Sequence, residues 1–283
     1  MVGRNHLYVI WGIFGMLASA TLIGPTVASV AGLCLFLLGV PHGAVERNAD
    51  LDMRREQVST RYAAAYVTVA ILAVGVWIAA PVVLLLAFLV LSGSHFAQSD
   101  TRLRMAGVWA VLGTGLVYPN TTLGIFEAMT STEWSWVSPR LYRWVAGLTA
   151  SLLLLEAYRR RQLPYAAMLI GVYVILPPIA AVAFYYFAIH SLAEYVTNRE
   201  HLSHDEGWLQ ALSRYATPAV IGAAMMIGIG LSLPSAVPFA VGLALAFAVP
   251  HMLPIEAWLR RLGRKRAAAS HFSGATSSST PEV

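Results

Sequence analysis

The sequence predicts an all-α, polytopic transmembrane bundle of about eight to ten spans, with both termini in the cytoplasm. Three observations lead there. Hydrophobic residues make up 58% of the 283 positions and charged residues only 12%, with a mean hydropathy of +0.64, whereas an ordinary soluble domain carries about 25% charged residues. Most apolar stretches have the ~20 residues that a helix needs to cross about 30 Å of hydrocarbon, and no alternating barrel pattern is visible. Finally, 17 of the 19 Lys and Arg residues fall in alternate connections, leaving only Arg140 and Arg143 on the other side, a strong positive-inside bias.

Ten stretches qualify, at 7–23, 26–46, 61–79, 81–98, 103–125, 140–157, 164–176, 179–198, 215–233 and 236–259. The first resembles a signal peptide, with Arg4 ahead of an apolar core, but the chain runs straight into a second stretch, so it reads as an uncleaved helix. Gly24-Pro25, Ala80-Pro81, Pro177-Pro178 and Pro234 mark tight connections, because proline cannot continue the preceding helix. Cys34 is the single cysteine; it excludes an intramolecular disulfide and reads as a buried thiol. Residues 121–139 form the longest outer connection and contain Glu127, Glu133, Trp134 and Trp136, as expected of a short amphipathic segment resting at an interface. Residues 1–266 therefore read as one helical domain, and 267–283, small and polar, as a disordered cytoplasmic tail. The net charge of +5 is explained by topology rather than by nucleic acid, which is not an expected partner; membrane lipid is. A multi-pass protein of the plasma membrane is the resulting expectation.

Chemistry concentrates in four histidines. His42, His95, His190 and His251 lie in the second, fourth, eighth and tenth stretches, which all run from outside to inside. They precede the next cytoplasmic arginine by 5, 7, 9 and 9 residues, roughly 8–14 Å of helix, and so form one layer. Intramembrane histidine is costly and usually serves a function, and imidazole suits iron, zinc or copper. A mononuclear metal site is the reading, its set drawn from His42, His95, His190, Glu194 and His251. Glu46 follows His42 by four residues and Glu194 follows His190 by four, so each pair shares a helix face. Glu46 and Asp100 are the candidates for orienting the imidazoles by hydrogen bonding. Phe96, Tyr185, Tyr186, Phe187, Phe247 and Met252 adjoin the histidines and could line a tunnel. An HExxH helix and paired HxxxH and HxxHH boxes are absent, which disfavours a zinc protease or a histidine-box desaturase; two bis-imidazole haems would need paired histidines at two depths.

These motifs, PHGAVE at 41–46, HFAQSD at 95–100, HSLAE at 190–194 and PHML at 250–253, resemble the Brp/Blh family of membrane carotene dioxygenases. The resemblance spans four separated helices in matching order. It implies Fe(2+) held without haem, with His42, His95 and His190 as catalytic ligands, and cleavage of the central double bond of β-carotene by O2 to give retinal. A retinal-binding rhodopsin as product acceptor is implied by the same likeness. The chain departs from the family pattern twice. Glu46-Arg47 stands where the family has Asp-His, and Glu194 stands where it has a second histidine, so that either Glu194 or His251 completes the metal shell. Other readings of the same residues are a metal-dependent lipid oxygenase or hydroxylase, a proton-coupled transporter, and a carotenoid carrier without turnover.

Overall fold

The computed structural model describes residues 4–39, 60–100, 102–194, 228 and 237–253. Among the described residues every regular element is helical, in the order α1 (Arg4–Ile23), α2 (Pro25–Gly39), α3 (Thr60–Ala79), α4 (Pro81–Ser99), α5 (Arg104–Leu112), a 3-10 turn (Gly113–Gly115), α6 (Pro119–Thr130), α7 (Pro139–Arg159), α8 (Leu163–Ile175), α9 (Pro178–Phe184) with a π-helical continuation (Tyr185–Ser191), and α10 (Val237–Met252). The expected stretch at 215–233 apart from residue 228, the tail at 267–283 and the segment carrying His42 and Glu46 lie outside the described residues.

Proline sets many of the starts. Pro81, Pro119, Pro139 and Pro178 open their helices, where the missing N–H has no intrahelical acceptor to lose and φ is already helical. The tight connections at Gly24 and Ala80 follow directly: one non-helical residue separates α1 from α2, and one separates α3 from α4.

The expected single span at 103–125 is instead broken in two. α5 stops at Leu112, the chain makes a 3-10 turn and a bend, and Pro119 starts α6. Ring packing at the glycines explains the break. A Cβ on Gly113 would lie 2.7 Å from the Trp109 ring and 2.8 Å from the Tyr173 ring, and one on Gly115 would lie 2.8 Å from the Tyr142 ring. Two side-chain-free positions thus let three aromatic rings close on the backbone, and α6 takes over part of the expected outer connection. Beyond it, Trp134 is buried, bonds Thr130 Oγ1 through its indole N–H at 3.1 Å and stacks on Trp136 at 5.3 Å between ring centres.

The helices build two adjoining cores. One joins α1, α2, α5, α7, α8 and α9, with Leu17, Trp109, Leu153, Leu169, Tyr173, Phe184 and Tyr185 buried in it. The other joins α3, α4, α6, α7 and α10 through Trp77, Leu84, Leu85, Leu123, Tyr142, Ala246 and Val249. α4 connects them: its Leu84 and Leu85 belong to the second core, while Phe96, near its end, packs against the first. Close approach depends on glycine. Gly32 sits against the backbone of Ala180, where an added Cβ would come within 2.9 Å of the Ala180 Cα, and Gly107 of α5 sits on the backbone of Phe96 and Ala97 in α4.

Outer surfaces are strongly apolar: Leu22 is 90% exposed, Trp144 77% and Ile78 73%. Cys34, expected to be buried, is also exposed, because Leu35 rather than Cys34 takes the inward position on α2. Among the described residues Pro81–Ser99 is the one helix long and apolar enough by itself to cross a membrane, while Tyr8–Ile23, Pro25–Phe36, Ala64–Ala79, Leu163–Ile175 and Ala240–Met252 are shorter apolar helices. Among the described residues, the spans expected from hydropathy thus yield one helix that meets both the length and the hydropathy needed to cross a membrane.

Candidate metal centre

Three of the four histidines lie in described residues, and they meet at the seam between the two cores. His95 comes from the last turn of α4, His190 from the π-helical segment after α9, and His251 from the end of α10. The ring of His95 is central, with centroids 5.0 Å from His190 and 5.1 Å from His251, at interplanar angles of 78° and 69°.

Local backbone departures accompany two of these residues. The π-helical turn inserts one residue relative to an α-helix and so changes the direction in which the later side chains point. Ser191 closes it by donating its hydroxyl to the Tyr186 carbonyl, five residues back, at 2.8 Å. In α10, Pro250 immediately precedes His251 and removes one backbone donor from the ladder at that point.

The spacing of the rings suits a shared ion. With metal–nitrogen bonds of about 2.1 Å, ring centres lie roughly 3 Å from the metal, so two imidazoles on one ion stand roughly 5 Å apart. His95 Nε2 is buried without a hydrogen-bond partner, and a buried polar atom of this kind calls for an explanation such as an ion. The Nε2 atom of His251 is buried as well. Among the described residues no group of three or more His, Cys, Asp or Glu converges tightly enough to form a metal cage. The donor type, three imidazoles beside a buried nitrogen, is one that suits a divalent transition metal, while the three rings alone do not close a coordination shell.

The remaining expected site residues fall around this cluster. Phe96 lies 4.8 Å from the His190 ring and 5.5 Å from that of Tyr185. Tyr186 lies 6.2 Å from His190 on one side and stacks on Phe36 of α2 at 4.5 Å on the other. Phe187 is partly buried against the first core. Met252 packs with the second core, and its sulfur accepts the Ser92 hydroxyl at 3.3 Å. The side chain of Phe247 lies outside the described residues. Glu194, one turn beyond His190, lines a cleft shared with Ser99, Asp100, Arg102, Tyr165 and Tyr185.

Asp100 is engaged in holding helices. Its Oδ1 accepts the backbone N–H groups of Arg102 at 2.9 Å and Leu103 at 3.2 Å, and its Oδ2 accepts the hydroxyls of Tyr165 at 2.8 Å and Tyr185 at 3.4 Å. The next two N–H groups, of Arg104 and Met105, go to Glu156 of α7 at 3.2 and 2.8 Å. Four successive donors, two leading into α5 and two in its first turn, which has no partners for them within the helix, are thus taken by two carboxylates. Ser99, one residue earlier and not singled out from the sequence, does reach an imidazole: its Oγ lies 3.0 Å from His190 Nδ1.

No curated protein and no solved structure matches the chain. A family model described as "Beta-carotene 15,15'-dioxygenase" matches residues 33–259, which is most of the chain and includes all four histidines. By that match, the chain belongs to the beta-carotene 15,15'-dioxygenase family.

Proposed function

We propose that this chain is a multi-pass, iron-dependent dioxygenase of the plasma membrane, which cleaves the central double bond of β-carotene or a related carotenoid with O2 to give retinal. The observation that carries the reading is the convergence of His95, His190 and His251, from three separate helices, at a seam lined by apolar side chains. Bound Fe(2+), held by His42, His95 and His190, would supply O2 activation. The 5.1 Å spacing of the His251 and His95 rings favours His251 as the further imidazole, while Glu194 lines a cleft together with His190. Both atoms of O2 enter the products, one on each carbon of the broken double bond, so two aldehydes form without a reductant.

The chain's own part is to bind, orient and keep dry. Phe96 and Tyr186, beside His190, offer ring faces to a polyene, and the exposed Phe36 stacked on Tyr186 extends that aromatic surface outward. A carotenoid dissolved in lipid can pass along such a surface without crossing water, which keeps its transfer cost small. Retinal would leave by the same apolar route to a retinal-binding protein such as a rhodopsin.

Expression in cells that accumulate β-carotene, with product analysis by chromatography and mass spectrometry, tests the reading. Retinal formed by the native chain and lost in His95→Ala supports it. An iron-loaded protein that leaves β-carotene intact removes that substrate, and a protein that retains no iron removes the oxygenase reading.

A further inference from the structure

The ring of His190 is buried, at 5% exposure, and is flanked by aromatic rings. Phe96 at 4.8 Å and Tyr186 at 6.2 Å limit its tilt. Apolar contacts of this kind do not tell one edge of an imidazole from the other, and a half-turn about Cβ–Cγ exchanges Nδ1 with a carbon. Neither do they decide which nitrogen carries the proton. Coordination needs a lone pair on a defined atom, and a polar partner at a ring nitrogen makes both choices.

Ser99 is placed to do so. It sits at the last residue of α4, with Oγ 3.0 Å from His190 Nδ1 and also 3.2 Å from the carbonyl oxygen of His95 and 3.3 Å from that of Phe96. A hydroxyl has one proton and two lone pairs. Both carbonyls can only accept, and a serine near a helix end commonly gives its proton to the carbonyl four residues back. With the proton so directed, the lone pairs of Oγ remain for an N–H. Nδ1 of His190 is then the protonated nitrogen, and Nε2 the one able to coordinate.

We propose that Ser99 is a positioning residue for the metal centre: it accepts the Nδ1–H of His190, selecting both the ring orientation and the tautomer that presents Nε2 as a ligand. The proposal rests on the reading of His190 as a metal ligand. It also links two of the imidazoles through the backbone, because the carbonyl that orients the Ser99 hydroxyl belongs to His95.

The test uses the full-length protein in detergent or nanodiscs, free of metal, with ¹⁵N-labelled histidine. His190 is assigned by comparison with His190→Gln, and its tautomer is read from the ring nitrogen shifts. The native protein is expected to show the Nδ1–H form, Ser99→Ala a mixture or the Nε2–H form, and Ser99→Thr, which keeps the hydroxyl, the native pattern. Titration with Co(II) is expected to show affinity weakened about 10- to 100-fold in Ser99→Ala, the range typical of lost outer hydrogen bonds to metal ligands, and restored in Ser99→Thr. A native His190 in the Nε2–H form, or a tautomer unchanged in a folded Ser99→Ala protein, overturns the proposal. If native protein binds no Co(II) or iron, the oxygenase reading falls, while the tautomer measurement still decides whether Ser99 orients the ring.

Discussion

Tyr165 donates its hydroxyl to Asp100 Oδ2 at 2.8 Å, tying α8 to the end of the helix that carries His95 across 65 residues of sequence. The opposite oxygen of the same carboxylate takes the N–H groups of Arg102 and Leu103, so one side chain ends α4, starts α5 and holds α8. Asp100→Ala should therefore cost about 2–4 kcal/mol, combining a lost cap with tyrosine hydroxyls left without their acceptor. Tyr165→Phe should cost only about 1 kcal/mol. Thermal unfolding of the purified variants checks both, and equal losses would mean that capping of α5 contributes little.

Gly107→Ala should disrupt the site from a distance. An added Cβ would fall on the peptide between Phe96 and Ala97, 2.7 Å from the Phe96 carbonyl carbon and 2.8 Å from the Ala97 Cα. Backbone cannot swing aside as a flexible side chain can, so α4 and α5 must part, and His95 moves with its neighbour. The expected outcome is destabilisation of about 1–3 kcal/mol, as for an overpacked core, together with weaker metal binding. Unfolding and metal titration on the same preparation would show both or refute the link.

Gly39→Ala addresses chiefly the aromatic surface, although an added Cβ would also come within 3.0 Å of Ser191 Oγ, a hydroxyl that can turn aside. Its Cβ would meet the Tyr186 ring, with Cε1 at 2.6 Å, and that ring lies between Phe36 and His190. Since the neighbour here is a side chain, the fold should survive while the ring shifts. We expect kcat/KM for β-carotene to fall about 10- to 100-fold, the scale associated with misplacing a reactant by about 1 Å, with iron content unchanged. Iron lost in parallel would show that the glycine supports the metal centre instead.

Chelation should abolish cleavage, and Fe(2+) should restore it. Zinc, which takes imidazole but cannot change oxidation state, should bind without restoring activity. Recovery with zinc would remove O2 activation from the mechanism.

His251→Ala separates the two ways of completing the shell. If His251 coordinates, as its 5.1 Å ring spacing to His95 favours, the variant should bind iron at least 10-fold more weakly, and Glu194→Gln should change binding less. The reverse order would assign the position to Glu194. Equilibrium titrations of both variants settle the comparison.

The adjacency of three histidines is legible in the sequence because histidines within apolar stretches are few and helix geometry turns sequence distance into position along an element. Counting residues to the next arginine puts His95, His190 and His251 in one layer, and their rings lie beside one another. Glycine and proline signal the tight connections at 24–25 and 80–81 equally well. The break inside 103–125 is harder to see, because continuous hydropathy hides a bend whose cause is ring packing onto Gly113 and Gly115. Burial within an apolar helix is not legible either: Cys34 lies on an exposed side, and a helix apolar all round has no sequence stripe to say which face turns inward. Ser99 reaches His190 only through tertiary packing, across 91 residues, and nothing in local sequence marks it. Asp100 carries a recognisable spacing, but its partners Tyr165 and Tyr185 come from distant helices.

The π-helical turn at Tyr185–Ser191 behaves as a register switch written into chain length. It holds one residue more than an α-helix would use over the same rise, so deleting a single residue there leaves an uninterrupted helix. The same seven residues wound as a plain α-helix would instead turn everything past them by about 100° relative to everything before. Phe184 and Tyr185 could keep their places in the core, or His190 its place beside His95, but not both. The extra residue thus lets Phe184 and Tyr185 stay in the core while His190 reaches the His95 ring, a requirement of register that composition and hydropathy do not reveal.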